Sequence, residues 1–121
     1  MNKQETFDYV VRHLYEQGKP ALNDEMGCMY RTENGLMCAV GCLIPDSMYD
    51  KEMEFKRIDA VLDGFTLPAF IKDNEEMLFD LQTVHDKWRP TFISPEYPFT
   101  HIEGLLKEVA EGHSVVYNKP Y

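Results

Sequence analysis

Nothing in the sequence is long and apolar enough to cross a membrane. The longest apolar runs, such as Met37 to Ile44, are short and contain Gly41, whereas a helical span needs about 20 predominantly apolar residues. A secretory signal is also missing. The opening Met-Asn-Lys-Gln-Glu-Thr has no apolar segment behind a basic start, so the cytoplasm is the expected compartment. Cations are scarce: Lys plus Arg total 12 against 21 Asp plus Glu, a net charge of −9. A polyanion is repelled at long range, which disfavours a general grip on DNA or RNA. No phosphate loop, no Gly-x-Gly-x-x-Gly and no His-Glu-x-x-His occurs, and with them go the strongest enzyme signatures. Cysteine is limited to Cys28, Cys38 and Cys42. An odd count without an export signal argues for reduced thiols.

What is present reads as one globular domain over residues 1–121. Hydrophobic residues make up 44% and charged residues 27% of the chain, and that length buries a core without disulfides or metal. Phe7, Val10, Val11 and Leu14 form a helical stripe, predicting a helix from Lys3 to Gln17 that stops at Gly18 and Pro20. Asn34-Gly35 is the best short hairpin signal. It predicts that a strand at Cys28 pairs with one at Leu36–Cys38. Cys38 to Ile44 reads as a short buried helix ended by Pro45. A stripe of Phe55, Ile58, Val61 and Leu62 predicts a helix to Gly64, and Phe65 to Ile71, broken by Pro68, an irregular segment. Met77, Leu78, Leu81, Val84, His85 and Trp88 mark a strong helix capped by Asp73 or Asn74. Pro90, Pro95 and Pro98, with Phe92 and Ile93 interleaved, mark a stiff connector. Ile102, Leu105, Leu106 and Val109 mark the last helix, and a tail follows whose Ser114–Tyr117 reads as a short strand and whose end reads as loose. The expected fold class is α+β, mainly α, with four to five helices packed around one short β-hairpin.

Several constellations compete as sites. Cys38 and Cys42 share a face of the expected helix, Cys28 sits across the hairpin, and His85 supplies a fourth ligand for zinc. The Cys-x-x-Cys knuckle is missing, and sulfurs among Ala39, Val40, Leu43 and Ile44 read first as core. Thiol catalysis needs a base beside a thiolate, and no local signature joins a cysteine to a histidine. His85-Asp86 with Asp80 reads as polar residues near a helix C-terminus. Arg31, Lys56, Arg57 and Arg89 are the cations available to a phosphate. Tyr30, Tyr49, Tyr97 and Tyr117 lie outside the helical stripes and offer rigid contact area to a partner.

The run Cys28-x-Tyr30-Arg31, then Gly35-Leu36-x-Cys38-Ala39-Val40-Gly41-Cys42-Leu43-Ile44-Pro45-Asp46, with Tyr49 and Glu54 after it, resembles an uncharacterised family of small bacterial and phage proteins. Phe7-Asp8-x-Val10-Val11-x-His13-Leu14 and Leu81-Gln82-x-x-His85-Asp86 fit the same pattern. The resemblance covers residues 1–88 as a family-like core. Residues 89–121, with the connector, last helix and tail, look individual to this chain. Members follow the acidic residue near position 54 with glycine; this chain has Phe55, which speaks against a tight turn there. The family brings no activity, cofactor or site. The origin it implies favours an acidic accessory or inhibitor that binds a basic surface of a host protein, such as an anti-defence factor in the host cytoplasm. The alternatives are a protein that binds or sequesters a nucleotide-like signal and a zinc-stabilised small domain. An enzyme is the weaker expectation.

Overall fold

Apolar stripes at helical spacing set the architecture. The structure, a computed structural model, describes residues 1–23, 25, 27–89 and 96–121. The connector expected around Pro90, Phe92, Ile93 and Pro95 lies outside the described residues. Five helices are described: α1 (Lys3–Gln17), α2 (Ile58–Gly64), α3 (Ala69–Asp73), α4 (Glu75–Asp86) and α5 (Thr100–Gly112). Short 3-10 turns lie at Gly41–Leu43 and Lys51–Met53.

α1 buries Phe7, Val10, Val11 and Leu14, as its stripe predicts. The Asn2 side chain accepts from the Glu5 N–H at 2.8 Å, and the Glu5 carboxylate accepts from the Asn2 N–H at 2.9 Å. Such a reciprocal cap contributes about 1 kcal/mol. Gly18 closes the helix with φ +74°, a conformation glycine adopts without strain. α4 buries Met77, Leu78, Leu81, Val84 and His85 and packs against α2, α3 and α5. These faces meet Ile44, Met53 and Trp88 in one hydrophobic cluster. Asn74 does not cap α4; its amide donates to the Phe70 carbonyl at 2.8 Å. The segment expected to be irregular yields α3, because Pro68 sits at the N-cap where its missing N–H is not needed.

The expected β-hairpin does not form, which corrects the fold class to a helical one. Among the described residues there is no sheet, only isolated bridges joining Arg31 to Met37 and Leu22 to Cys28. The chain does reverse at Asn34-Gly35, with Gly35 at φ +88°. Around the first bridge, Thr32 N–H donates to Leu36 O at 2.9 Å and Cys38 N–H to Tyr30 O at 3.2 Å. Beyond that the ladder is cut, because side chains take the next donors. Tyr30 N–H goes to Glu54 Oε1 at 2.8 Å, and Leu36 N–H goes to Thr32 Oγ1 at 3.0 Å. Met37 N–H, which points away from the Arg31 segment, goes to Gln17 Oε1 at 2.8 Å and ties the turn to α1. Side-chain acceptors of this kind compete directly with sheet formation.

The loop from Cys28 to Ile44 is therefore held by side chains of the surrounding elements. His13 Nε2 donates to Met37 O at 2.9 Å, and Val40 N–H donates to Gln82 Oε1 at 3.2 Å. The loop packs so closely on itself that a Cβ at Gly41 would lie 2.0 Å from the Tyr30 carbonyl oxygen. The expected helix over Cys38 to Ile44 shrinks to the 3-10 turn. The tail forms no strand and is not loose: Val116 exchanges two hydrogen bonds with the Gln4 side chain, at 2.8 and 2.9 Å, and Tyr121 OH donates to Glu103 at 2.9 Å.

Gly41→Ala should therefore cost about 3 kcal/mol or more, whereas Gly35→Ala, with nothing within 4 Å of the new methyl, should cost only about 1 kcal/mol. Urea denaturation of both variants checks this. A second expectation concerns pH. Burial holds His13 below its ordinary value of 6.5, while its bond to the Met37 carbonyl pulls the other way. The unfolded chain thus binds this proton more readily than the folded one. The stability contributed by neutral His13 is complete above pH 6.5 and is lost as the pH falls below it. The melting temperature should drop between about pH 7 and pH 5. His13→Gln, whose amide can still donate to Met37 O, should flatten that slope.

Candidate functional site

α4 presents Gln82, His85 and Asp86 one turn apart on the side facing the Cys28 loop. His85 is fully buried. Ala21 N–H donates to its Nε2 at 2.9 Å, so that nitrogen is an acceptor and the ring proton sits on Nδ1. Nδ1–H then donates to Asp86 Oδ1 at 3.0 Å. Gln82 Nε2 donates to the same oxygen at 2.9 Å, and the Cys28 sulfur lies within 4.8 Å of an Asp86 carboxylate oxygen. Burial would raise the Asp86 carboxyl, but its contacts with His85, Cys28 and Gln82 outweigh it and hold the group below its ordinary value.

Cys28, His85 and Asp86 offer ligand atoms within 4.8 Å of one another, the one such group among the described residues. The hydrogen bonds do not suit a metal there. A metal on Nδ1 would move the ring proton to Nε2 and set it against the Ala21 N–H. Arg89 also places a guanidinium nitrogen 3.2 Å from the Cys28 sulfur, which repels a cation. Cys38 and Cys42 are not part of the group. Both are core residues; Cys42 Sγ donates to Ala39 O, and Cys38 Sγ accepts from Gly41 N–H, each at 3.2 Å.

The order of contacts also rules out a thiol–imidazole pair. His85 Nδ1 carries the proton it gives to Asp86, and the imidazole nitrogen that could accept one is occupied by the Ala21 N–H. Burial, with Asp86 adding to it, pushes the Cys28 thiol up to about 11. Burial pushes Cys38 up to about 12. These are protonated thiols at neutral pH, not nucleophiles.

In front of this cluster lies a cavity of about 300 Å³. Its floor includes Cys28, Tyr30, Ile58, Gln82, Thr83 and Asp86, and its rim includes Phe55, Lys56, Arg57 and Phe79. Phe55 does not join the stripe of α2. It adopts φ +63°, so the tight turn forms where the sequence spoke against it. A left-handed non-glycine residue costs about 1–2 kcal/mol. The Phe55 ring is 78% exposed, so core burial does not repay that cost. Arg57 lies over the Phe79 ring, 6.0 Å from its centroid, and Lys56 over Phe65 at 5.4 Å.

The cations named from sequence therefore divide. Lys56 and Arg57 line the cavity, and Arg89 flanks it through Cys28. Arg31 points elsewhere: it pairs with Asp46 at 2.6 Å, donates to the Ile44 carbonyl and stacks on Tyr49. The tyrosines are engaged within the fold. Tyr30 OH donates to Lys56 O at 2.6 Å, Tyr49 OH to Glu54 at 2.5 Å and Tyr117 OH to Glu103 at 2.6 Å. Tyr97 packs partly buried on the core. Sequence reasoning did not assign Glu54, Phe55, Phe79 or Gln82 to a site, and read His85-Asp86 with Asp80 as polar residues near a helix end; the structure joins His85 to Asp86 and pairs Asp80 with His113 instead. The four-residue spacing of Gln82 and Asp86 on a helix was the signal available for that pair.

Iodoacetamide at neutral pH should label Cys28 of the native protein about a hundredfold more slowly than the same cysteine in urea, because the folded thiolate fraction is that much smaller. Peptide mass spectrometry reads the difference; equal rates would show that the fold does not suppress the thiolate, and a faster native rate would show an activated thiol.

Comparisons of the chain with protein-family models, with curated proteins and with solved structures return no match.

Proposed function

We propose that the chain is a binding protein that holds a small planar anion of the nucleotide class in the cavity between Phe55–Ile58 and α4. One observation carries this reading: a strained backbone sets Phe55, 78% exposed, on a mainly apolar cavity that Gln82, Thr83 and Asp86 also line. Strain that no burial repays points to function. Phe55 and Phe79 offer faces for a planar ring, and ring stacking of this kind is worth about 1–3 kcal/mol. Lys56 and Arg57 follow directly in sequence and supply charge for a phosphate. The protonated thiols and the occupied imidazole favour sequestration over catalysis. The same reading expects a cytoplasmic protein.

Thermal-shift measurements against mononucleotides and cyclic dinucleotides test this. A ligand at about a hundred times its Kd should stabilise the fold by about 2.7 kcal/mol. Phe55→Gly separates the two roles of that residue. It should leave stability unchanged or raise it by up to about 1 kcal/mol, while weakening binding about tenfold. Flat melting curves with every nucleotide would end the proposal.

A second reading, a phage-type accessory docked on a basic host protein, has one observation in its favour. Glu75, Glu76, Phe79 and Asp80 of α4 line, with Asp59, Arg57 and His113, an adjoining groove of about 420 Å³ in which carboxylates outnumber cations, though Asp80 is paired with His113. A stoichiometric host complex that survives Phe55→Gly but is lost on Phe79→Asp would support it over the nucleotide reading.

A further inference from the structure

The cavity floor has a definite hydrogen-bonding polarity. Asp86 is the acceptor. Its Oδ1 receives Gln82 Nε2 and His85 Nδ1, and the Cys28 sulfur lies within 4.8 Å of the carboxylate. A carboxylate has about four lone-pair sites, and the Asp86 side chain is 45% exposed, so capacity remains toward the cavity. Gln82 is the donor. Its Oε1 is fixed by Val40 N–H, which sets the amide orientation. Its Nε2 gives one proton to Asp86. The other finds no acceptor in His85 Nδ1, 3.4 Å away, because that nitrogen carries its own proton. The hydroxyl protons nearby are spent: Thr83 donates to Phe79 O and Tyr30 to Lys56 O.

Resting on the nucleotide-class reading above, we infer that the cavity recognises a base edge bearing an amino group beside an unprotonated ring nitrogen, the edge shared by adenine and cytosine. The amino group donates to Asp86, and the ring nitrogen accepts from Gln82. The phosphate stays at the rim with Lys56 and Arg57, which fixes which way round the edge enters. A carbonyl beside a ring N–H, as in hypoxanthine or uracil, sets acceptor against acceptor at Asp86 and donor against donor at Gln82. Polar groups that a bound ring shuts off from water and leaves unpaired in this way are what make such sites selective.

Titration calorimetry on the full chain with AMP, IMP, CMP and UMP tests the inference, since each pair keeps its phosphate and ring shape. AMP should bind about tenfold or more tightly than IMP, and CMP likewise over UMP. Asp86→Asn, which can still accept from His85 and Gln82, should shrink both preferences; if that variant does not fold, the wild-type pairs decide alone. IMP binding as tightly as AMP, or UMP as tightly as CMP, overturns the edge assignment and leaves the nucleotide reading standing. Binding by none of the four overturns the edge assignment as well, and the nucleotide reading then falls only if the melting curves are flat with every nucleotide.

Discussion

Glu54 accepts two consecutive backbone N–H groups, those of Tyr30 and Arg31, at 2.8 and 3.1 Å, and the Tyr49 hydroxyl at 2.5 Å. Hydrogen bonds to a charged acceptor contribute about 1.5–3 kcal/mol each, so this carboxylate is among the strongest ties between the loop and the helical frame. Its position dictates what comes next in the chain. With Glu54 committed to the loop, the backbone turns left-handed at Phe55 and brings the Lys56 carbonyl under the Tyr30 hydroxyl. The Phe55 ring then swings out over the cavity. The missing strand ladder and the shape of the cavity mouth have the same cause.

The polar interior divides into satisfied and unsatisfied groups. The chain Ala21–His85–Asp86 is paired at each contact, and a fully paired buried network rigidifies what it touches. Arg31 is different. Two of its guanidinium nitrogens are bonded, but Nε is buried without a partner, as is Trp88 Nε1 among the described residues. The Asp46 partner of Arg31 is 97% exposed, so their ion pair adds little net energy. Arg31 acts through its stack on Tyr49 and its bond to the Ile44 carbonyl, as a staple for the loop.

The helices were legible because α1 and α4 write their cores as apolar residues three and four apart. The turn at Asn34-Gly35 was legible because few residue pairs tolerate positive φ. The ladder beyond it was not, because Glu54, which takes the Tyr30 N–H, is far along the chain and silent in any local pattern. Phe55 misled for a related reason. It stands three residues before Ile58, in phase with the α2 stripe, and a phenylalanine gives no hint of a left-handed turn. The site suffered most: His85 and Asp86 looked like ordinary residues near a helix end, since the Ala21 N–H that defines the imidazole's tautomer is distant in sequence.

A loop held without a ladder also opens differently. In a sheet, neighbouring amides lose protection together as an edge frays. Here the amides of Ala21, Val40, Met37 and Tyr30 are each secured from a different place: His85, Gln82, Gln17 and Glu54. Their hydrogen-exchange lifetimes therefore follow the undocking of α4, of α1 and of the Glu54 turn, rather than one another. The loop is a reporter strip on which the local stability of three separate parts of the fold can be read at single amides.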